Sequence, residues 1–176
     1  AMSAISLISQ NLLPTIHNPK DQNFRFQLSL ASYLAGAAFS NSMVGIVHAI
    51  GHALGAVCHI PHGDAMSMLL IPCMKFNLDV NHELYGDILL YLGEKELYAK
   101  TPHEQLAQQT IEVIEKLLHQ LHDEVQLPIS LSSISDLNEH IEDIAQRALN
   151  DGALIVNQKY VTHEDIINIL EGYYGY

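Results

Sequence analysis

Three histidines, His48, His52 and His62, lie within the stretch from Gly45 to Asn77, GIVHAIGHALGAVCHIPHGDAMSMLLIPCMKFN. A neutral imidazole offers one ring nitrogen to a divalent metal or a proton near neutral pH, while its other nitrogen bonds a neighbour. His48 and His52 are four residues apart, so on a helix they share a face. Gly55 and Pro61 then punctuate the chain, and His62-Gly63 opens a second apolar run. A histidine at such a restart stands near a helix N-terminus and can face back towards the first helix. Two or three imidazoles converging from two helices are a start for a divalent metal site. A plainer reading stands beside it. Eleven histidines in 176 residues produce some His-x-x-x-His pairs by chance, and such a pair is satisfied equally by core or surface contacts.

The elements that must position these residues are helical. Val44 to Ala56 is apolar almost all round, which predicts a buried helix. In that setting each imidazole needs a partner, because an unsatisfied one costs about 1–3 kcal/mol. Ala65 to Phe76 predicts a second long buried helix, bent at Pro72. Its methionines read as core filler, and Asp64 suits a helix N-terminus through the dipole. His59 falls in the connecting loop, with at most a contact at the rim.

Upstream, Ser3–Leu13 reads as a helix that stops at Pro14. Asp21 is placed to cap a further helix striped with Phe24, Leu28, Ala31, Leu34, Ala35 and Ala38. The small residues Ala35–Ala38 allow a neighbouring backbone to come close. Downstream, Asn81 precedes a helix of Leu84, Ile88, Leu89 and Leu92 ending at Gly93. Thr101-Pro102-His103-Glu104 reads as a capping box for the helix of Leu106 to Leu121. Ser135 reads as the cap of a helix carrying Leu137, Ile141, Ile144, Ala145, Ala148 and Leu149, which ends by Gly152. Thr162-His163-Glu164-Asp165 is a second capping box. Asp136 and His140 read as an exposed helix pair. No segment carries a convincing strand pattern, so the expected class is all-α, a helical bundle. The expected division is a single helical domain over residues 3–176, with Ala1-Met2 an expression scar followed by an initiator methionine.

Composition excludes several roles. The formal charge is −12, from 8 Lys+Arg against 20 Asp+Glu, which repels phosphate backbones and argues against nucleic acid as a partner. An apolar fraction of 48% in 176 residues supports one sizeable core. Only Cys58 and Cys73 occur, and no signal peptide or membrane-length apolar run is visible. The expectation is a reduced, cytoplasmic compartment, no membrane partner and no disulfide.

The order Gly36, Ala37, Ala38, Phe39, Asn41, Gly45, His48, Ala49, His52, Leu54, Gly55, Pro61, His62, Gly63, Leu70, Pro72, Asn77 resembles the signature of the iron-containing alcohol dehydrogenase family. That signature runs roughly G-x-A-F-x-N … G-x-x-H-A-x-x-H-x-L-G … P-H-G … L-x-P … N. The resemblance continues to Asn157 and Val161-Thr162-His163-Glu164-Asp165, and covers only about the C-terminal half of a family member. It implies the helical fold of the family's C-terminal domain, with His48 and His62 as ligands of a divalent metal, Fe2+ first and Zn2+ second. It also places His52 beside the nicotinamide of NAD(P) and the substrate, as both a cofactor contact and a catalytic residue. Family members pass a hydride between NAD(P) and a small alcohol or aldehyde.

In the family, a nucleotide-binding half with a glycine-rich turn comes first, and it brings a further Asp and His four apart as ligands. No Gly-x-Gly run exists in this sequence. The expectation is therefore a chain without its cofactor-binding domain, inactive by itself and holding neither metal nor NAD(P), whose partner is that half or a second copy. A non-catalytic helical module that packs against another chain is the alternative from a different class. A glycerol-dehydrogenase-like or dehydroquinate-synthase-like domain is the alternative within the enzymes; the His-Ala-x-x-His-x-Leu-Gly string favours the alcohol dehydrogenases.

Overall fold

A computed structural model describes residues 1–174. Among them every regular element is helical: α1 (Met2–His17), α2 (Gln22–Ser42), α3 (Ile46–Cys58), α4 (His62–Phe76), α5 (His82–Tyr91), α6 (Lys95–Lys100), α7 (Leu106–Val125), α8 (Leu137–Leu149) and α9 (His163–Leu170). Short 3-10 turns cover His103–Gln105, Leu131–Ser133 and Gly152–Val156. The all-α expectation is met. The chain forms two compact units, residues 1–43 with 82–113, and residues 44–81 with 114 onward.

In the first unit α1 packs on α2 and on α5. Helix α1 runs through Pro14 to His17 and does not stop at the proline. Pro14 sits in the last turn, where the chain loses one intrahelical bond and gains others: Thr15 Oγ1 donates to the Asn11 carbonyl at 2.6 Å, and the Asn18 amide donates to Pro14 at 2.9 Å. Asp21 caps α2 as expected, accepting from the amides of Asn23 and Phe24. Thr101 behaves otherwise than the capping-box reading. Its hydroxyl donates back to the Leu97 carbonyl at 2.8 Å and closes α6, and α7 is entered through a 3-10 turn instead. Thr110 is fully buried in α7, and its hydroxyl is satisfied by the carbonyls of Tyr85 and Leu106.

The second unit holds the larger core. Ile50 and Leu54 of α3, Leu69 and Phe76 of α4, Ile144 of α8, and Ile166, Ile169 and Leu170 of α9 are buried together. Each such side chain contributes about 1.5–3 kcal/mol by leaving water. Helix α3 packs against α4 and α8. A methyl at Gly51 would run into Met66 Cε and stand 3.6 Å from Leu69 Cδ1. Helix α9 opens with the expected capping box between Thr162 and Asp165. Ser135 does not cap α8; Asp136 occupies the cap position and makes no side-chain cap bond.

Burial on α3 is one-sided. Ile46, Ala49, Ile50, Gly51, Ala53 and Leu54 are buried, whereas His48 is half-buried and His52 and Ala56 are exposed. The expectation of a helix buried all round is corrected here, because the described residues cover the histidine side of α3 only in part.

Candidate metal centre

The site is built on the two ends of helices that the core holds in place. At the start of α3, Asn157 Oδ1 accepts from the Ile46 amide at 3.3 Å and so serves one of the open N–H groups of the first turn. The same oxygen accepts from Asn77 Nδ2 at 3.2 Å, just past the end of α4. Asn157 Nδ2 donates in return to Asn77 Oδ1 at 3.0 Å and to the Lys159 carbonyl at 2.7 Å. Lys159 Nζ donates to the Phe76 carbonyl at 2.9 Å and to Asp79 Oδ1 at 3.1 Å, and lies 4.5 Å from the centre of the Phe76 ring. This is a cationic cap on the negative end of α4. Both histidine-bearing helices are therefore fixed by residues of the segment that follows α8.

The three imidazoles meet on the open side. Ring centres are 5.7 Å apart for His48 and His52, 5.5 Å for His48 and His62, and 5.7 Å for His52 and His62. His48 and His52 are one turn apart on α3, and His62 is the first residue of α4, as the helix restart at Pro61 implied. Imidazoles sharing a metal with nitrogens at about 2.0–2.1 Å hold their ring centres roughly 5–6 Å apart. The 5.5 Å between the His48 and His62 rings is compatible with a shared metal for that pair. As the side chains stand, no three His, Cys, Asp or Glu groups among the described residues are arranged to hold a metal ion.

Burial holds His48 below the ordinary histidine pKa, the neighbouring His52 and His62 add to the effect, and Asp151 opposes it. A His48 kept neutral is a His48 with a lone pair to give. His52 Nδ1 lies 2.9 Å from Asp151 Oδ2, with the two side chains 46% and 24% exposed. Burial pushes the Asp151 carboxyl up, but the Ala153 amide and His52 more than offset this and bring it below the ordinary carboxylate value.

Other residues marked in the sequence lie apart from this cluster. His59 ends α3 in the left-handed region, φ 56, and is exposed. His140 Nε2 lies 3.7 Å from Asp136 Oδ2 on the exposed side at the start of α8. Cys58 and Cys73 are both free thiols. Sequence reasoning missed Asp151. Its only local signal is an Asp-Gly pair after a striped helix, which reads as a stop, and nothing in the spacing connects it with a histidine 99 positions earlier.

Residues 1–174 match the family model described as Fe-containing alcohol dehydrogenase family, C-terminal. Among curated relatives, alcohol dehydrogenase 4 of Saccharomyces cerevisiae is 30% identical over 178 residues, covering 100% of this chain and 44% of the relative. Lactaldehyde reductase of Escherichia coli is 32% identical, covering 96% of this chain and 42% of the relative. Among solved structures, a 1,3-propanediol oxidoreductase superposes with a TM-score of 0.86 at 29% identity, over 97% of this chain and 43% of that one. An alcohol dehydrogenase from Oenococcus oeni gives the same TM-score at 30% identity, over 97% of this chain and 43% of that one. The chain thus spans less than half the length of the relatives it matches.

Proposed function

The chain belongs to the iron-containing alcohol dehydrogenase family, matching its C-terminal part, and on that premise we propose that it supplies half of a catalytic metal site for interconverting a small alcohol and its aldehyde with NAD(P). The observation that carries this reading is the cluster of His48, His52 and His62, with ring centres within 5.5–5.7 Å of one another on an open side of the fold. His48 and His62 would hold the metal, iron first and zinc as the alternative. When bound, the metal supplies a Lewis acid that polarises the substrate oxygen. His52 borders the same space and would take or return the hydroxyl proton through its second ring nitrogen. The nicotinamide would lie against His52.

Chemistry of this kind needs a hydride carrier, and the 176 residues contain no glycine-rich phosphate turn of the Gly-x-Gly type. A nucleotide-binding polypeptide segment would supply that carrier. Co-expression with a cognate nucleotide-binding half tests the reading. Metal-dependent alcohol oxidation is expected in the reassembled pair, abolished together with metal content by His48→Ala or His62→Ala. His52→Ala is expected to keep the metal and slow turnover. A reassembled pair that binds metal and turns over equally well without His48 and His62 would overturn the assignment.

A further inference from the structure

The segment between α8 and the 3-10 turn Gly152–Val156 delivers one carboxylate to the histidine cluster, and both of its oxygens are committed. Asp151 Oδ1 accepts from the Ala153 amide at 2.7 Å, capping the 3-10 turn. Oδ2 faces His52 Nδ1 at 2.9 Å. The backbone beneath is held as well, since the Asp151 amide donates to the Ala148 carbonyl at 3.1 Å, in the last turn of α8. Helix α3 packs against both α8 and this turn. The carboxylate is thus fixed from two directions before it meets the imidazole.

We propose that Asp151 is the positioning residue of His52, holding the imidazole as its Nδ1–H tautomer so that Nε2 keeps its lone pair beside His48 and His62. An ionised carboxylate is an acceptor only, so the nitrogen facing it must carry the proton. The remaining nitrogen is then a bare acceptor, able to take a proton or a metal bond. Without Asp151 nothing in the cluster selects between the two tautomers, because His48 and His62 can each donate or accept. The inference rests on the proposed role of His52 in that its consequence for turnover follows from it, but the tautomer itself is a property of this chain alone.

The test exploits the Ala153 amide. In Asp151→Asn the side chain remains a cap, and its oxygen must face the Ala153 N–H. Its NH2 group is then turned on His52 Nδ1, which has to become the acceptor. Two-bond 1H–15N correlation spectra of the 176-residue chain, recorded above the histidine titration range, read the outcome directly. Wild type is expected to show His52 with Nδ1 protonated and Nε2 bare. Asp151→Asn is expected to reverse this, losing the Nδ1–H pattern and gaining Nε2–H. Asp151→Ser, which still caps the turn but is too short for His52, is expected to leave a mixture, with thermal unfolding recording whether the fold is kept. An Nε2–H tautomer in wild type, or an Nδ1–H tautomer that survives in both variants, would overturn the proposal. Because no alcohol, metal or nicotinamide enters the measurement, its failure is distinct from a failure of the dehydrogenase reading.

Discussion

Asn77 and Asn157 exchange amide hydrogen bonds in both directions, at 3.2 and 3.0 Å across 80 positions of sequence. The pair joins the residue after α4 to the residue that serves the start of α3, and Asn77 is buried. Asn157→Ala would leave the Ile46 amide, both Asn77 polar atoms and the Lys159 carbonyl without this partner. Each buried group left unpaired costs about 1–3 kcal/mol, and water admitted to the gap recovers part of it. The expected loss is about 2–4 kcal/mol in denaturant titration. Asn157→Asp should also destabilise, because a carboxylate cannot donate to Asn77 Oδ1 or to the Lys159 carbonyl. An Asn157→Asp chain as stable as wild type would show that the donor half of the exchange contributes nothing.

Gly45 makes the same contact possible from the other side. Its backbone, φ −117, is open to any residue, so only space is at issue. A methyl there would stand 2.9 Å from Asn157 Oδ1. Gly45→Ala is expected to destabilise the wild-type chain and to cost less in the Asn157→Ala background, where the obstructing amide is gone. A double-mutant cycle measures this, and additive effects would separate the two residues.

Lys159 and Asp79 give a pH dependence whose sign is fixed by the direction of one shift. The hydrogen bond from Lys159 is the main reason that the Asp79 carboxyl lies below its ordinary value; slight burial opposes it, and the charge of Lys159 and local amides assist. A carboxylate held lower in the folded state adds stability above its unfolded pKa, which is lost as pH falls through the folded one. The stability difference between wild type and Lys159→Met should therefore narrow in acid, below the ordinary carboxylate range. What remains there is the bond from Lys159 to the Phe76 carbonyl and its stacking on the Phe76 ring. A gap that is unchanged between neutral pH and acid would assign the whole effect of Lys159 to Phe76.

The cysteines differ in environment and should differ in reactivity. Cys73 is wholly buried, and burial pushes its thiol far above the ordinary range. Cys58 is half-buried and is raised mainly by burial, with Asp136 adding to it. The thiolate is the nucleophile, so a raised pKa leaves less of it at any given pH. Alkylation followed by mass spectrometry at pH 8 should label Cys58 slowly and Cys73 only on unfolding. Rapid labelling of both in the native chain would contradict the buried placement.

What was readable in the sequence was local. The Thr162–Asp165 capping box, the Asp21 cap and the helix restart at His62 each depend on residues within four positions of one another, and each is found in the fold. The meeting of the three imidazoles was legible for the same reason, being one i, i+4 pair plus a helix start. Thr101 does not cap α7 because a threonine hydroxyl has a competing acceptor one turn back, the Leu97 carbonyl. Helix α1 continues past Pro14 because Thr15 and Asn18 close its last turn on the Asn11 and Pro14 carbonyls. The open side of α3 was illegible because alanine and glycine fill a covered face and an uncovered one alike. Asp151 and the Asn77–Asn157 exchange join residues 99 and 80 positions apart, and no periodicity encodes such a pairing.

The last expectation concerns metal on the chain by itself. His48 and His62 bring two neutral nitrogens and no charge to offset a divalent cation. Asp151 is the carboxylate that meets the cluster, and its oxygens are already taken by His52 and the Ala153 amide. Affinity of such a site comes from ligand number and charge together. Zinc or ferrous iron added to the 176-residue chain should therefore bind weakly and leave on dialysis against a chelator, well below one equivalent. His48→Ala and His62→Ala should each weaken even this binding, whereas His140→Ala, on the exposed face of α8, should not change it. Stoichiometric metal that resists the chelator, measured by elemental analysis, would show that these residues recruit ligands beyond those the described residues offer, and a mass measured in the presence of metal would then show whether a second copy supplies them.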